Sequence, residues 1–323
     1  MKTRIVVLDG YTLNPGDLDW APFEALGDVT VYERTSEDQI VERAASAPCV
    51  LTNKTPLSAE TIAQLPQLRY IGVLATGYNV VDVEAARQRD IPVTNIPTYG
   101  TDTVAQHAAA LMLEMARHIS IHNQAVHEGK WTACKDWCFA LAPITELTGR
   151  TLGIVGLGRI GLTLARIAAA MGMNLIAFDQ YRLTAEQLGG LKVDYKASAD
   201  DVFREADVIS LHCPLTDRTH HLVNAERLAM MKPTAVLINT SRGPLIDNAA
   251  LASALRAGRI AGAALDVLDV EPPPADNPLI GLANCIITPH IAWYAQEARR
   301  RLMNIAAENL KAFLDGKPQN VVN

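Results

Sequence analysis

The chain has 323 residues, enough for two domains, and its 49% hydrophobic and 20% charged residues are typical of a globular protein. Lys and Arg total 29 against 35 Asp and Glu, and the resulting net charge of -6 excludes a basic field for nucleic acid or anionic membranes. The apolar run Ile5–Leu8 is too short for a signal peptide, and Val104–Ala116 is too short for a membrane span. We therefore expect a cytoplasmic protein that binds neither nucleic acid nor membrane.

The cysteines give no sign of a disulfide framework or a metal site. Their number is odd, no CxxC pair occurs, and no His stands at zinc spacing; they are Cys49, Cys134, Cys138, Cys213 and Cys285. Cys134 and Cys138 could be a redox or metal pair, but we interpret this lone CxxxC as a coincidence. We predict no metal, and a reducing compartment fits best.

Short apolar runs alternate with helical patterns from residue 3 to about 99. The strand-like runs are TRIVVLDG, VTVYER, CVLTNK, LRYIGVLATG and IPVTNIP, and the helix-like ones are SEDQIVERAASA, SAETIAQL and VDVEAARQRD. Alternating strands and helices predict a parallel sheet with helices on its faces.

A longer helix is predicted to begin at Thr101-Asp102. One apolar stripe runs from Val104 to Ile119, and Ala110 and Leu113 make the opposite side apolar too, so we expect burial nearly all round. The next segment, from His122 to Pro143, has aromatic residues but no clear period and is predicted to be an arm. Together the helix and the arm favour a homodimer.

The alternation restarts at residue 150 and ends in an amphipathic helix, Tyr294–Leu314. We predict an α/β protein of two doubly wound parallel-sheet domains. The first comprises residues 1–99 plus 292–323 and binds substrate, and the second comprises residues 100–291 and binds the cofactor. The second is thus a Rossmann domain inserted into a flavodoxin-like one.

A glycine-rich turn opens the second alternation. It reads Gly156-Leu157-Gly158-Arg159-Ile160-Gly161, with an apolar strand before it and an amphipathic helix after it. Gly156 permits a tight turn, Gly158 lets a pyrophosphate approach the backbone, and Gly161 lets helix and strand pack closely. The helix N-terminus then meets the phosphates with N–H groups. A glycine-rich turn that binds nothing is the alternative, and the flanking elements disfavour it.

Asp179 follows about 20 residues after this turn, at the end of the next strand. Its carboxylate is expected to accept hydrogen bonds from the ribose hydroxyls, which favours NAD(H) over NADP(H), because a 2′-phosphate would face its charge. Arg182 favours NADP(H) instead, because its guanidinium could bind such a phosphate.

Three further strands end in polar or charged residues. Arg242 lies in the run after AVLI, Asp266 and Glu271 follow AGAAL, and His290 follows CII. Singly, Arg242 could be a surface cation, Glu271 a turn residue before prolines, and His290 a loop histidine. Together they lie at the carboxyl ends of strands, where open α/β sheets bind ligands.

These residue types suit hydride transfer between a nicotinamide and a 2-keto acid. A guanidinium such as that of Arg242 can bind the substrate carboxylate through two hydrogen bonds. A proton must reach the keto oxygen, and His290 is a suitable donor. Glu271 could orient the imidazole and favour its protonated form.

The sequence resembles the D-isomer-specific 2-hydroxyacid dehydrogenase family over essentially its whole length. The matching motifs occur in the family order: VLATGYNVVD, the VAQH helix, LGIVGLGRIG, LHCPLT, INTSRG, ALDVLDVEPP and TPHIAW. The resemblance implies that Arg242, Glu271 and His290 are the catalytic trio, with His290 as acid/base. It also implies that cofactor contacts come from the glycine-rich turn and from Thr103, Asp179, Cys213, Pro214, Thr240, Arg242 and Asp266.

The same resemblance implies substrate contacts from the first domain. Backbone N–H groups around Thr76 and Gly77 are expected to hold the substrate carboxylate, together with Arg242 and His290. Within the family, the run Tyr99–His107 and the arm look most like glycerate dehydrogenases, also called hydroxypyruvate reductases. In that subgroup Lys54 resembles a position near the substrate, and Trp137 resembles an arm residue that reaches the partner's active site.

The resemblance thus predicts an NAD-dependent 2-hydroxyacid dehydrogenase that reduces a small anionic 2-keto acid, with hydroxypyruvate and glyoxylate foremost. Other small 2-keto acids stay open as substrates, because selectivity depends on pocket shape. The alternative from another class is an NADH-sensing binding protein similar to the C-terminal-binding-protein corepressors. Those proteins carry partner-binding extensions, and the sequence shows no such tail.

Overall fold

The computed structural model describes residues 2–323, and backbone contacts divide the chain into two compact units. The first unit runs to Gly100 and resumes at Trp293–Asn323, and the second is Thr101–Ala292. Each contains one entirely parallel sheet with helices, which confirms the predicted fold class. Among residues 2–323, no helix is both long and apolar enough to cross a membrane.

The first unit has a five-stranded sheet. Its strands are β1 (Arg4–Val7), β2 (Asp28–Val31), β3 (Cys49–Thr52), β4 (Tyr70–Val73) and β5 (Val93–Thr94). Its helices are α1 (Ala21–Glu24), α2 (Ile40–Ala44), α3 (Ala59–Ala63), α4 (Val83–Arg87) and, after the second unit, α12 (Gln296–Leu314). The strand order β2-β1-β3-β4-β5 is that of flavodoxin-like sheets.

Two apolar cores cover the faces of this sheet. One packs α12 against Ile5, Leu51 and Tyr70, and the other packs α2, α3 and α4 against Val6, Val50 and Ile71. Adjacent residues of β1, β3 and β4 therefore pack into opposite cores, which is why these three strands consist mainly of apolar residues.

The second unit has a seven-stranded sheet. Its strands are β6 (Thr151–Val155), β7 (Asn174–Phe178), β8 (Asp194–Tyr195), β9 (Val208–Leu211), β10 (Val236–Asn239), β11 (Gly262–Leu265) and β12 (Cys285–Ile287). Its helices are α5 (Thr101–Arg117), α6 (Ile119–His127), α7 (Arg159–Ala170), α8 (Ala185–Leu188), α9 (Ala199–Glu205), α10 (Ala225–Met230) and α11 (Asn248–Arg256).

The strand order in this unit is β12-β11-β10-β9-β6-β7-β8. Counted from β6, this is the 3-2-1-4-5-6 order of dinucleotide-binding sheets with one more strand at the edge. The chain changes direction across the sheet between β6 and β9. That point, at the carboxyl ends of the two strands, is where such sheets bind ligands.

Two predictions for the segment after residue 100 are corrected. The expected arm is helical in its first part, because α6 extends to His127. The rest of this segment, residues 128–150, contains no helix or strand. His118 separates α5 from α6 with a φ of 51°, a left-handed conformation that is uncommon for residues other than glycine. The second correction concerns α5: Ala110 and Leu113 are exposed in the single chain, so burial within one chain is not seen, and burial at a subunit interface stays a prediction.

Candidate active site

Three loops of the second unit carry the predicted catalytic residues. Arg242 follows β10, Glu271 follows β11, and His290 follows β12. These strands are consecutive neighbours and all run parallel, so the three loops leave the same edge of the sheet. The sequence pattern alone could not give this adjacency, since it depends on the strand order.

His290 and Glu271 form a hydrogen-bonded pair. The distance from His290 Nδ1 to Glu271 Oε2 is 2.5 Å, and Glu271 Oε1 accepts a hydrogen bond from the Leu268 backbone N–H at 3.0 Å. Because a carboxylate accepts from Nδ1–H, the pair leaves Nε2 as the ring atom that can serve a substrate. The two side chains are 32% and 36% exposed, so solvent can exchange protons with the pair.

A buried carboxylate shapes the loop that carries His290. Asp266 is 1% exposed, and its oxygens accept hydrogen bonds from the Thr288 hydroxyl at 2.6 Å, Ile291 N at 2.9 Å and Ala292 N at 2.8 Å. The Asp266 carbonyl also accepts the His290 N–H at 2.8 Å. These bonds hold His290 at a φ of 54°, a conformation that costs free energy for a residue with a Cβ.

His107 on α5 adds a second contact to this cluster. Its Nε2 lies 3.1 Å from the Thr288 hydroxyl and 3.5 Å from the Asp266 carboxylate. The predicted contact between Asp266 and the nicotinamide stays a prediction. What the geometry establishes is that Asp266 braces the His290 loop, a role that the sequence did not indicate.

The Arg242 loop is held through its backbone. Asn239, fully buried at the end of β10, donates from Nδ2 to the Arg242 carbonyl at 2.8 Å and accepts the Ser241 N–H at 2.9 Å. The Arg242 side chain is exposed, and its Nη1 donates to the Ser241 carbonyl. Gly243 then passes so close to Leu268 that a Cβ would lie 1.8 Å from the Leu268 carbonyl oxygen. The Arg242 and Glu271 loops are therefore in direct backbone contact.

The glycine-rich turn has the geometry that its sequence predicts. Gly156 has a φ of 97°, and a Cβ there would lie 2.5 Å from the Cys213 nitrogen. A Cβ at Gly161 would lie 2.4 Å from the Gly156 carbonyl oxygen, so helix α7 and the turn touch. Gly158, in contrast, is exposed with no atom within 4 Å of its ideal Cβ. Two glycines are thus required by packing, and the third leaves open space beside the α7 N-terminus.

Asp179 contacts this turn directly. Its Oδ2 accepts the Leu157 N–H at 2.7 Å and its Oδ1 accepts the Tyr181 N–H at 2.9 Å. The guanidinium of Arg182 lies over the Tyr195 ring at 5.3 Å from the centroid. The carboxylate is therefore fixed beside the turn, and Arg182 is engaged with an aromatic ring.

The neighbouring β9 and β10 ends contain buried polar atoms. The Thr240 hydroxyl oxygen is buried without a hydrogen-bond partner among residues 2–323. Burial raises the pKa of the Cys213 thiol to about 11 and lowers the pKa of the His212 imidazole to about 4. The His212 Nε2 lies 2.8 Å from the Ser210 hydroxyl, while its Nδ1 is covered and has no partner in the described chain. Cys213 and His212 are therefore neutral at pH 7.

The remaining predicted residues are spread over both units. Thr103 is half-buried in the first turn of α5, Arg159 is exposed and Ile160 half-buried at the start of α7, and Pro214 is exposed after β9. Trp137 is 86% exposed, and its carbonyl accepts the Trp131 indole N–H at 2.9 Å. Lys54, Thr76 and Gly77 lie in the first unit, on the loops after β3 and β4. Within residues 2–323, no group of three or more His, Cys, Asp or Glu side chains could hold a metal ion.

Sequence reasoning missed two residues of the first unit, Asp9 and Asn53. Both are buried polar residues that directly follow or lie close to an apolar strand, β1 and β3. That position was itself a signal, because a polar side chain buried at a strand end is held by specific hydrogen bonds.

Comparison with known proteins identifies the family. The family described as "D-isomer specific 2-hydroxyacid dehydrogenase, NAD binding domain" matches residues 109–292. The chain is 51% identical over 323 residues to a hydroxypyruvate reductase of Blautia hydrogenotrophica, covering 99% of each chain. It is 40% identical over 325 residues to a glycerate dehydrogenase of Methylorubrum extorquens, covering 100% of this chain and 99% of the relative.

Solved structures give the same result. An NADPH-dependent glyoxylate/hydroxypyruvate reductase of Sinorhizobium meliloti, in complex with NADP and malonate, has a TM-score of 0.83 and 30% identity, covering 100% of this chain and 97% of that one. The fold and the matched domain define a two-unit α/β oxidoreductase with an NAD-binding sheet. The chain belongs to the D-isomer specific 2-hydroxyacid dehydrogenase family.

Proposed function

We propose that this protein is an NADH-dependent reductase of a small 2-keto acid, with His290 as its acid/base. The observation that carries the proposal is the 2.5 Å hydrogen bond between His290 Nδ1 and Glu271 Oε2, on loops that follow neighbouring strands. A carboxylate that accepts from Nδ1–H orients the imidazole and leaves Nε2 as the atom that can serve a carbonyl oxygen.

Each residue of the trio has one role in the reduction. Arg242 binds the substrate carboxylate through its guanidinium, and His290 Nε2 transfers a proton to the keto oxygen. Glu271 holds the ring through Nδ1. The product is the 2-hydroxy acid, and the exposed edge of His290 regains its proton from solvent. A nicotinamide dinucleotide, when bound, supplies the hydride that the keto carbon receives.

The second unit fits such a dinucleotide. The open space at Gly158 lets a pyrophosphate approach, and α7 begins there with backbone N–H groups that attract anions. The buried Thr240 hydroxyl has no partner within the described chain, which suits a polar group of a bound ligand. Gly156 lies against the Cys213 backbone and Gly161 against Gly156 at the switch point between β6 and β9, and Pro214 directly follows Cys213.

We further propose that NAD(H) is preferred over NADP(H). Asp179 holds a negative charge beside the turn, where it would repel a 2′-phosphate. Arg182, the candidate partner for that phosphate, already contacts the Tyr195 ring. We expect kcat/KM to be about tenfold or more higher with NADH than with NADPH, and Asp179→Ser to narrow this ratio. If the ratio of kcat/KM with NADH to kcat/KM with NADPH were the same for wild type and Asp179→Ser, the role assigned to Asp179 would be contradicted.

Hydroxypyruvate and glyoxylate are the expected substrates. The support comes from two relatives, a hydroxypyruvate reductase at 51% identity and a glycerate dehydrogenase at 40% identity. The test is kcat/KM for hydroxypyruvate, glyoxylate, pyruvate and bulkier 2-keto acids, measured with NADH and with NADPH. His290→Ala should lower kcat/KM about 10²-fold or more for the preferred acid. Tight NADH binding by the wild type without turnover of any acid would favour the NADH-sensing alternative instead.

A homodimer in the cytoplasm completes the proposal. Ile119, Trp131 and Trp137 are 61%, 52% and 86% exposed, and large apolar side chains so exposed mark an interaction surface. We propose that a second copy covers them and receives Trp137 near its active site. Analytical ultracentrifugation should give twice the 35.0 kDa chain mass at micromolar concentration. A sedimenting species of one chain would contradict this.

A further inference from the structure

A buried carboxylate joins two strand ends at the switch point of the first unit. Strand order reverses between β1 and β3, the place where flavodoxin-like sheets bind ligands. Asp9 follows β1 and is 9% exposed. Its Oδ1 accepts the Asn53 N–H at 2.7 Å, and its Oδ2 accepts the N–H groups of Lys54 at 2.5 Å and Thr55 at 2.7 Å. Three consecutive backbone donors converge on one charged acceptor, so residues 53–55 are held in one conformation.

Asn53 extends this link to the next strand. It is 2% exposed, and its Nδ2 donates to the Leu74 carbonyl, just after β4, at 2.6 Å. Its Oδ1 is buried and has no hydrogen-bond partner among residues 2–323. A buried acceptor without a partner costs free energy, so its retention needs a reason besides stability.

The loop after β4 is braced from its other side. The Thr76 hydroxyl donates to the Ile96 carbonyl at 2.6 Å, and Asn95 Nδ2 donates to the Thr76 carbonyl at 2.7 Å. The backbone N–H groups of Thr76 and Gly77 find no acceptor within the described chain. Two successive N–H groups of this kind can bind an anion, and the Lys54 side chain is exposed on the neighbouring loop.

We propose that Asp9 and Asn53 are positioning residues for a carboxylate-binding site formed by Lys54 and by the N–H groups of Thr76 and Gly77. Asp9 sets the backbone from which Lys54 projects, and Asn53 joins that segment to the end of β4. The ligand class is a small carboxylate. Assigning this site to the substrate rests on the proposed function, whereas the positioning role of Asp9 and Asn53 rests on their hydrogen bonds.

Asp9→Asn tests the link with a minimal change of shape. Whichever way the new amide is turned, its NH2 group faces at least one backbone N–H of residues 53–55. We expect KM for the 2-keto acid to rise about tenfold with kcat within about threefold, and the Kd for NADH to stay unchanged. If Asp9 acts through Lys54, Asp9→Asn combined with Lys54→Met should have a kcat/KM within about twofold of Lys54→Met alone.

Asp82→Asn is the matched control. Asp82 is exposed at the start of α4 in the same unit, where its carboxylate accepts one backbone N–H, from Ala85 at 2.9 Å. This variant should leave KM unchanged. The positioning role is overturned if Asp9→Asn also leaves KM and kcat/KM within about twofold of wild type. It is equally overturned if the double variant lowers kcat/KM by the full product of the two single effects, because the two residues would then act independently.

A binding assay keeps this result separate from the proposed function. Oxalate, a small dicarboxylate, should bind the wild-type protein in isothermal titration calorimetry and bind Asp9→Asn about tenfold more weakly. If wild type binds oxalate in this pattern but reduces no 2-keto acid, the reductase proposal fails and the anion site stands. No oxalate binding by wild type overturns the site. Should Asp9→Asn not fold, Asn53→Ala is expected to weaken oxalate binding too, and unchanged binding would overturn the proposal.

Discussion

Replacing Asp266 with Asn would remove one charge and one acceptor from the loop that carries His290. The Asp266 carboxylate accepts hydrogen bonds from Thr288, Ile291 and Ala292, and it is 1% exposed. An amide has one acceptor oxygen instead of two. In the more favourable orientation the amide oxygen still accepts the hydrogen bonds from Thr288 and Ile291. The new NH2 group then faces the Ala292 N–H, which loses its acceptor.

The magnitude follows from that mismatch. One buried N–H without an acceptor costs about 1–3 kcal/mol, which lowers the melting temperature of a unit this size by about 2–4 °C per kcal/mol. The loop then loses one of the bonds that keep His290 at a φ of 54°, the one from the Ala292 N–H. Because a displacement of about 1 Å at a catalytic group can lower turnover about 10²-fold, we expect kcat to fall by that order.

The assay combines NADH oxidation, NADH binding by fluorescence and thermal unfolding. Asp207→Asn is the control, because Asp207 accepts the Thr151 N–H and the Lys232 ammonium, each at 2.9 Å, where β6 and β9 begin. It should lower stability and leave kcat unchanged. Asp266→Asn with kcat within about twofold of wild type would refute the reasoning. A raised Kd for NADH with normal kcat would instead favour the nicotinamide contact implied by the family resemblance.

Three further predictions concern the second unit. Glu271→Gln should lower kcat/KM about 10- to 100-fold at neutral pH with the NADH Kd unchanged, since His290 loses its charged partner; unchanged kcat/KM would contradict the pair's role. Gly243→Ala should lower the free energy of unfolding in urea by about 1–3 kcal/mol and raise KM, because its Cβ would meet the Leu268 carbonyl; wild-type values would contradict the backbone contact. Burial lowers the pKa of His212 to about 4 from an ordinary value of 6.5, so below about pH 6.5 the unfolded chain takes up a proton that the folded chain does not. The free energy of unfolding should therefore fall between about pH 6.5 and 4, by up to about 3 kcal/mol, and His212→Asn should reduce this pH dependence; equal slopes would refute it.

The candidate site shows how far local sequence patterns reach. The run from Gly156 to Gly161 predicted its turn correctly, because Gly156 and Gly161 are required by the packing of neighbouring residues and Gly158 leaves space beside the helix N-terminus. In contrast, the residues around Asp266 in the sequence do not show whether its side chain contacts a ligand or holds the His290 loop in place. Its partners are 22 to 26 residues further on and become neighbours only because β11 and β12 pair.

The segment after residue 100 shows the opposite case, in which a strong pattern misled. Apolar residues on both sides of α5 predicted all-round burial, yet Leu113 is 38% exposed in the single chain. The periodicity records that a face is apolar but does not say what covers it. The break at His118 was missed for a related reason: His adopts the left-handed conformation more often than most residues, but this tendency is too weak to identify one position from the sequence.

The sequence by itself determined the fold class, the order of strands and helices along the chain, and the glycine-rich turn. These features arise from residues close in the chain, where burial period, backbone freedom and capping act locally. Only the tertiary structure decided that the His290, Glu271 and Arg242 loops leave adjacent strands, and that Asp9 holds the backbone at Lys54 from 45 residues away. Those facts depend on which strands pair and which buried donors find acceptors. That is settled when the whole chain packs, because every buried polar group must then be satisfied at once.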